Sequence, residues 1–236
     1  MTTLLKVENL KKAFNTRGIT TRVLDDVTFS VETGEIFLIT GRSGTGKSTL
    51  LGLLAGLDQA SSGTIDFQGR EITGMSLSEL ADLRAATIGM IFQSFNLIPS
   101  WTALENVEAV LMHRGIGREE RRTRSAQLLG ELGLKDRLHN LPAELSVGQQ
   151  QRVAIARTLV NEPALILADE PTGDVDPETA ADIMGLLLPR IKSGKTTMIV
   201  ASHGLFDPGF ADRVACLKDG RLEMQPGIIT KPENRQ

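Results

Sequence analysis

The sequence predicts an α/β protein: a mostly parallel sheet with a phosphate-type loop, a small N-terminal antiparallel β-subdomain and an inserted α-helical subdomain. Three observations carry this expectation. Ile36 to Thr40, Leu165 to Ala168 and Thr197 to Ala201 are short apolar runs with polar residues directly after each, the pattern of buried parallel strands. Residues 41 to 49, Gly-Arg-Ser-Gly-Thr-Gly-Lys-Ser-Thr, join the first of those runs to the helix-like Leu50 to Leu54. From Phe95 to about Gln151 the apolar positions recur at helical spacing.

Along the chain, Leu4 to Leu10, Arg22 to Glu32 and Gly63 to Gln68 alternate apolar with polar residues and end in glycine-bearing turns, as half-buried strands do. In the helical region Leu104, Val107 and Leu111 share one face, and Leu128, Leu129 and Leu132 another. Arg118 to Arg124 is rich in arginine, but Glu119 and Glu120 interleave and Glu120 pairs with Arg124 at helical spacing, which reads as a solvated face. After Glu223 periodicity is lost and two prolines occur. The organisation expected is therefore one domain over 1–225, with its core in 1–94 and 152–225, a helical subdomain in 95–151 and a flexible tail in 226–236.

Bulk properties narrow the partners. A chain of 236 residues buries a full core, and 26 Lys+Arg against 29 Asp+Glu gives a formal net charge of -3, so no overall basic field points to nucleic acid. Cys216 sits between Ala215 and Leu217 as a small core residue and has no second cysteine to bridge, which fits a reducing cytosol. No run of about eighteen apolar residues exists, and Met1 to Asn9 lacks the apolar stretch of a signal peptide. Membrane contact is thus expected only through a partner.

The 41–49 stretch matches G-x-x-x-x-G-K-[ST] in the strand–loop–helix setting that makes such a loop a phosphate cradle. Gly41, Gly44 and Gly46 let the backbone amides of Arg42, Ser43, Thr45 and Thr49 turn toward an anion, and the following helix adds its positive end. Lys47 reaches the β- and γ-phosphates, and Ser48 offers a hydroxyl to Mg²⁺. Asp169 and Glu170 end the Leu165 run; two adjacent acids at a buried edge suit a metal held by Asp169 and a general base at Glu170, the alternative being an acidic helix cap. Ser146 precedes the helix-forming Val147 to Arg157 as an N-cap, a second anion site or a simple cap. His203 directly follows the Thr197 run. Because ligands of such sheets bind beyond strand C-termini, the loop, Asp169-Glu170 and Ser202-His203 are expected to converge.

Taken together and in order, these residues resemble the ATPase subunits, or nucleotide-binding domains, of ABC transporters, which have a P-loop ATPase core. Gly41 to Thr49 resembles the Walker A loop, Gln93 the Q-loop, Leu145 to Gln149 the signature sequence and Leu165 to Glu170 Walker B with its catalytic glutamate. Gly173 to Asp176 resembles the D-loop and His203 the switch histidine. The resemblance implies ATP as ligand, with Mg²⁺ held by Ser48, Gln93 and Asp169, and catalysis by Glu170, His203 and Lys47. It further implies a head-to-tail homodimer in which Ser146, Gly148 and Gln149 of one copy complete the site of the other, with Asp176 beside it. Phe14 resembles the aromatic that stacks on adenine, a core phenylalanine being the alternative.

Three positions depart from the family pattern: Val147 replaces the first signature glycine, Gly204 follows the histidine, and the D-loop reads Gly-Asp-Val-Asp. Gly56-Leu57-Asp58, Thr102 to Val107 and Ala168 to Gly173 are most similar to the branch serving lipoprotein release and macrolide or peptide export, which the insertion around Asn15 to Thr21 also suits. The function implied is an ATP hydrolase that powers a separate integral membrane permease from the cytoplasmic face of the membrane. An ATP-dependent scaffold of a membrane complex, as in cell division, and a non-transport ABC ATPase are the alternatives.

Overall fold

A computed structural model of the chain describes residues 2–173, 177–204 and 206–226. The first strands, β1 (Thr3–Thr16) and β2 (Ile19–Glu32), form a long antiparallel hairpin; β4 (Ser62–Phe67) pairs with β1, and the short β5 (Arg70–Glu71) follows at the edge. Between them in sequence lie β3 (Ile36–Thr40) and helix α1 (Lys47–Leu54). Helix α2 (Leu77–Thr87) leads to β6 (Ile88–Ile91), and α3 (Ala103–Leu111), α4 (Arg118–Glu131) and α5 (Val147–Leu159) come next. The chain continues through β7 (Leu165–Asp169), α6 (Pro177–Lys192), β8 (Thr197–Ser202), β9 (Arg213–Lys218) and β10 (Arg221–Met224).

The second sheet has the order β10-β9-β3-β8-β7-β6, parallel throughout except for the β9–β10 edge hairpin. Its buried strands feed two cores by strict alternation, as a period of two requires. Phe37 and Ile39, Leu165 and Leu167, and Ile199 and Ala201 face a core shared with the antiparallel sheet and α1. Ile36 and Leu38, Ile166 and Ala168, and Met198 and Val200 face a core shared with α3 to α6. The stacked rings of Phe29 and Phe37, 5.3 Å apart, tie the two sheets together.

The structure refines two sequence expectations. Asn15 to Thr21, expected as an insertion between strands, is the tip of the β1–β2 hairpin: Thr16 pairs with Ile19 across Arg17 and Gly18, whose φ angles of 52° and 82° suit a two-residue turn. The tip is solvent-exposed, so no apolar alternation marks it. β10 runs one residue past Glu223, the expected end of periodicity: Met224 pairs with Ala215 and is exposed. Most of the expected tail, residues 227–236, lies outside the described residues.

The expected faces of the helical region are buried as read: Leu104, Val107 and Leu111 on α3, and Leu128 and Leu129 on α4 with Leu132 just beyond. They belong to the same core as one face of the parallel sheet, and α5 runs unbroken through residue 151. The Glu120–Arg124 pair forms on the exposed side of α4 at 3.8 Å.

Helices α2, α3 and α5 open with the same reciprocal cap, Ser76 with Glu79, Thr102 with Glu105 and Ser146 with Gln149. The Thr102 backbone N–H holds the Glu105 carboxyl below the usual range. Asn106, 1% exposed, anchors the turn before α3: its Oδ1 accepts from Ile98 N–H, and its Nδ2 donates to the Ile98, Trp101 and Thr102 carbonyls. Asn106→Leu strands these buried partners and is expected to cost about 2–4 kcal/mol. Urea unfolding followed by circular dichroism measures the difference.

Candidate functional site

The register of β8 between β3 and β7 sets the site. Thr40 lies opposite Ser202, and Ala201 opposite Asp169, so the segments that follow the three strands leave the sheet at one level. The loop after β3 curls tightly, with φ of 80° at Gly44 and 101° at Gly46. A Cβ on Gly46 would stand 2.7 Å from Val23 Cγ1, so β2 backs the loop closely. Thr45 Oγ1 donates to the Arg42 carbonyl at 2.9 Å, bracing the arc. Lys47 is buried, and its ammonium donates to the carbonyls of Gly41 at 2.8 Å and Arg42 at 3.2 Å, which keeps a cation at the centre of the loop.

On the opposite strands, Glu170 has φ 49°, a left-handed conformation uncommon for a side-chain-bearing residue and concentrated at functional sites. Its N–H donates to the Ala201 carbonyl at 2.9 Å, and its own carbonyl accepts from Gly173 at 3.0 Å. The carboxylate is buried. Ser202 Oγ donates to Oε2 at 3.0 Å and His203 Nδ1 meets Oε1 at 2.6 Å. An ionised carboxylate only accepts, so Nδ1 carries the proton in this pair.

A cavity of about 400 Å³ collects these groups. Ser43, Gly44, Gly46, Lys47, Ser48 and Thr49 line it from the loop and α1; Gln93, Asp169, Glu170 and His203 line it from the ends of β6, β7 and β8; Val23 completes it. Gly41, Arg42 and Thr45 shape the loop without lining the cavity. The expected convergence of three distant segments is what the fold delivers. Ser48, Gln93 and Asp169 together present a hydroxyl, an amide oxygen and a carboxylate, a hard oxygen set that fits Mg²⁺ with water and phosphate oxygens as its remaining ligands. Among the described residues no cluster of three or more His, Cys, Asp or Glu could hold a metal by protein ligands alone.

Other expected site residues lie apart from this cavity. Phe14 is 41% exposed, not a core residue, and carries the Lys12 ammonium 4.6 Å from its ring centroid. Ser146, Gly148 and Gln149 sit at the start of α5 and do not line the cavity. Ser146 Oγ accepts from Gln149 N–H at 3.3 Å and Gln149 Oε1 from Ser146 N–H at 3.0 Å, so the simple cap is real. A Cβ on Gly148 would stand 3.3 Å from Thr179 Cγ2, while Val147 is 49% exposed. Asp176, with Asp174 and Val175, lies outside the described residues. Val23 escaped the sequence reading as a site residue, while Ser202, expected to converge with His203, does not line the cavity and reaches it through its bond to Glu170. Cys216, expected in the core, is only partly buried on β9.

A second concavity, about 340 Å³, opens beside β6. Leu57, Ile88, Met90 and Val110 give it an apolar lining, and Arg84 and Arg157 border it. Arg157 donates to the carbonyls of Phe95 and Asn96, both at 2.6 Å, and so clamps two left-handed residues just after Gln93. Burial lowers the proton affinity of its guanidinium. No helix among the described residues is long and apolar enough to cross a membrane.

Comparison with known proteins agrees with this geometry. The sequence profile described as ABC transporter matches residues 24–173. An uncharacterised ABC transporter ATP-binding protein of Thermotoga maritima is 42% identical over 94% of this chain and 95% of its own length. The lipoprotein-releasing system ATP-binding protein LolD of Idiomarina loihiensis is 41% identical over 95% of this chain and 98% of its own. The macrolide export ATP-binding/permease protein MacB of Azoarcus sp. is 41% identical over 98% of this chain, which spans only 35% of that longer protein. Among solved structures, the dimeric post-hydrolysis state of the ATP-binding cassette MJ0796 bound to ADP and Pi superposes with a TM-score of 0.87 at 38% identity, covering 95% of this chain and all of the other. A profile that spans more than half the chain, relatives that align along nearly all of it, and a loop, acid pair and histidine brought to one cavity establish that this chain belongs to the ABC transporter family of ATP-binding proteins.

Proposed function

We propose that the chain binds ATP with Mg²⁺ at the 400 Å³ cavity, hydrolyses it, and drives a separate integral membrane subunit for export or for lipoprotein or lipid extraction. The observation that carries this reading is the meeting of Lys47, Ser48, Gln93, Asp169, Glu170 and His203 at one cavity, while the signature residues Ser146 and Gly148 lie elsewhere on the same chain. A second copy placed head to tail brings its own α5 start to the cavity, and the MJ0796 dimer is precedent for such cassettes pairing.

Lys47 and the loop amides bind the β- and γ-phosphates, and Phe14 stacks on the adenine from the exposed hairpin. Ser48, Gln93 and Asp169 would hold Mg²⁺, which supplies charge neutralisation between phosphate oxygens when bound. Glu170 takes the proton of the attacking water, and His203, hydrogen-bonded to Glu170 and lining the same cavity, orients that water and the γ-phosphate. Ser146, Gly148 and Gln149 of the second copy, with Asp176 near them, close the site from the other side. The start of α5 contributes the positive end of its helix, so the dimer depends on an intact triphosphate and opens when that bridge is cut.

The membrane subunit seats in the apolar groove beside β6, where Arg157 joins the groove to the segment following Gln93. Movement at the nucleotide thus reaches the partner through a short, clamped connection. The chain works at the cytoplasmic face of the membrane and touches the membrane only through that partner; nucleic acid plays no part.

Glu170→Gln is expected to lower turnover at least a hundredfold while preserving ATP binding and favouring an ATP-bound dimer. Steady-state phosphate release and sedimentation velocity with ATP test both halves, and near-normal hydrolysis removes the general-base assignment. Val147→Gly is expected to strengthen ATP-driven dimerisation, because the exposed valine adds bulk at the surface the partner nucleotide meets. Unchanged dimer affinity by ultracentrifugation would show that the valine does not limit closure.

A further inference from the structure

Ser202 is 2% exposed and ends β8, one residue before His203. A serine hydroxyl has one proton and two acceptor sites. Here both acceptor sites are engaged from the following turn: Gly204 N–H donates to Oγ at 3.4 Å and Phe206 N–H at 3.3 Å. The proton has one direction left, and Glu170 Oε2 stands there at 3.0 Å. Because Ser202 and Glu170 are both buried, solvent has little access to that bond.

The neighbouring His203 holds the other oxygen, Oε1, at 2.6 Å. Two consecutive residues at the end of one strand therefore grip both oxygens of the carboxylate and fix its plane. Glu170 enters this grip from the end of β7 with a left-handed backbone, and its N–H is itself tied to the Ala201 carbonyl beside Ser202. Its side chain has rotatable bonds that would otherwise sample several orientations, and a displacement of about 1 Å at a reacting group costs up to a hundredfold in rate.

We propose that Ser202 is a positioning residue for ATP hydrolysis: its hydroxyl, aimed by the Gly204 and Phe206 amides, holds the Glu170 carboxylate at the angle needed to take a proton from water. The proposal rests on Glu170 acting as the base. Ser202 is buried behind Glu170 and does not line the cavity, so it acts on the chemical step and not on ATP affinity.

The test is steady-state ATP hydrolysis by the full-length chain. Ser202→Ala is expected to lower kcat about tenfold with KM for ATP within about twofold of the parent, and Ser202→Thr, which keeps the donor, to recover most of the loss. In a Glu170→Gln background, adding Ser202→Ala is expected to leave ATP-driven dimerisation unchanged. Parental kcat in Ser202→Ala overturns the proposal. So does a rise in KM that matches the fall in kcat, a threonine variant no better than alanine, or loss of dimerisation in the double variant, which would mark a purely structural role. If Ser202→Ala does not fold, Ser202→Cys decides in its place: reduced kcat at unchanged KM supports positioning, and parental kcat overturns it. Normal turnover by Glu170→Gln alone, with Ser202→Ala impaired, would instead remove the general-base reading on which the proposal stands.

Discussion

The parallel pairing of β8 between β3 and β7 is the constraint on which the site depends. Its register places Thr40 opposite Ser202 and Asp169 opposite Ala201, so the phosphate-type loop, the acid pair and the histidine leave the sheet together. A slip of one residue would turn every side chain of a strand to the other face. That error is heavily penalised here because both faces are buried and feed different cores. Phe37 and Ile39 would leave the core shared with the antiparallel sheet, and Ile36 and Leu38 would leave the helical one. The same burial that stabilises the sheet therefore sets the relative positions of Lys47, Asp169, Glu170 and His203.

The flanking elements act on the ends of those strands. On one side β2 presses Val23 against Gly46, and the carbonyl of Leu217 on β9 would stand 2.6 Å from a Cβ on Gly41. On the other side Gln151 of α5 donates to the Pro171 carbonyl at 2.7 Å, directly after Glu170. Arg157, six residues nearer the end of α5, clamps the segment after Gln93. One helix thus carries the signature residues at its start and then touches both the acid turn and the Gln93 segment. This is why no linker separates the helical region from the sheet, although the two regions differ in sequence character.

What was legible in the sequence follows the physics of each element. β3, β7 and β8 could be read because strands buried on both faces are continuous apolar runs, and the loop because its chemistry demands those residue types at fixed spacing. β6 was hidden by Gly89, whose place is dictated by α5: a Cβ there would stand 2.5 Å from Thr158 Cγ2. β9 opens with Arg213, which reads as solvent-facing but lies over the Phe37 ring and pairs with the buried Glu35. The caps at Ser76 and Thr102 were open to a reading of serine or threonine followed three residues later by glutamate. Ser202 was not. Its role exists only through Glu170, 32 residues away, and a serine after an apolar run has no local signature of that bond.

Ser202 and Ser146 show one chemical device used at two places. In each, a backbone N–H occupies an acceptor site of the hydroxyl: Gly204 and Phe206 at Ser202, Gln149 at Ser146. A hydroxyl filled in this way is biased toward donating, and the favoured recipient is an anion. For Ser202 the anion is the Glu170 carboxylate, inside the chain. For Ser146, in the proposed dimer, it is the terminal phosphate held by the other copy. The cap at Ser146 is thus no rival to a binding role, because it uses one acceptor site of the hydroxyl and leaves its proton to donate elsewhere. It also assigns Gln149 a first duty to the helix start, through its bond to Ser146 N–H. In the proposed dimer, contact with nucleotide at that end would then fall chiefly to Ser146, to Gly148 and to the amides of the first turn, with the exposed Val147 among them.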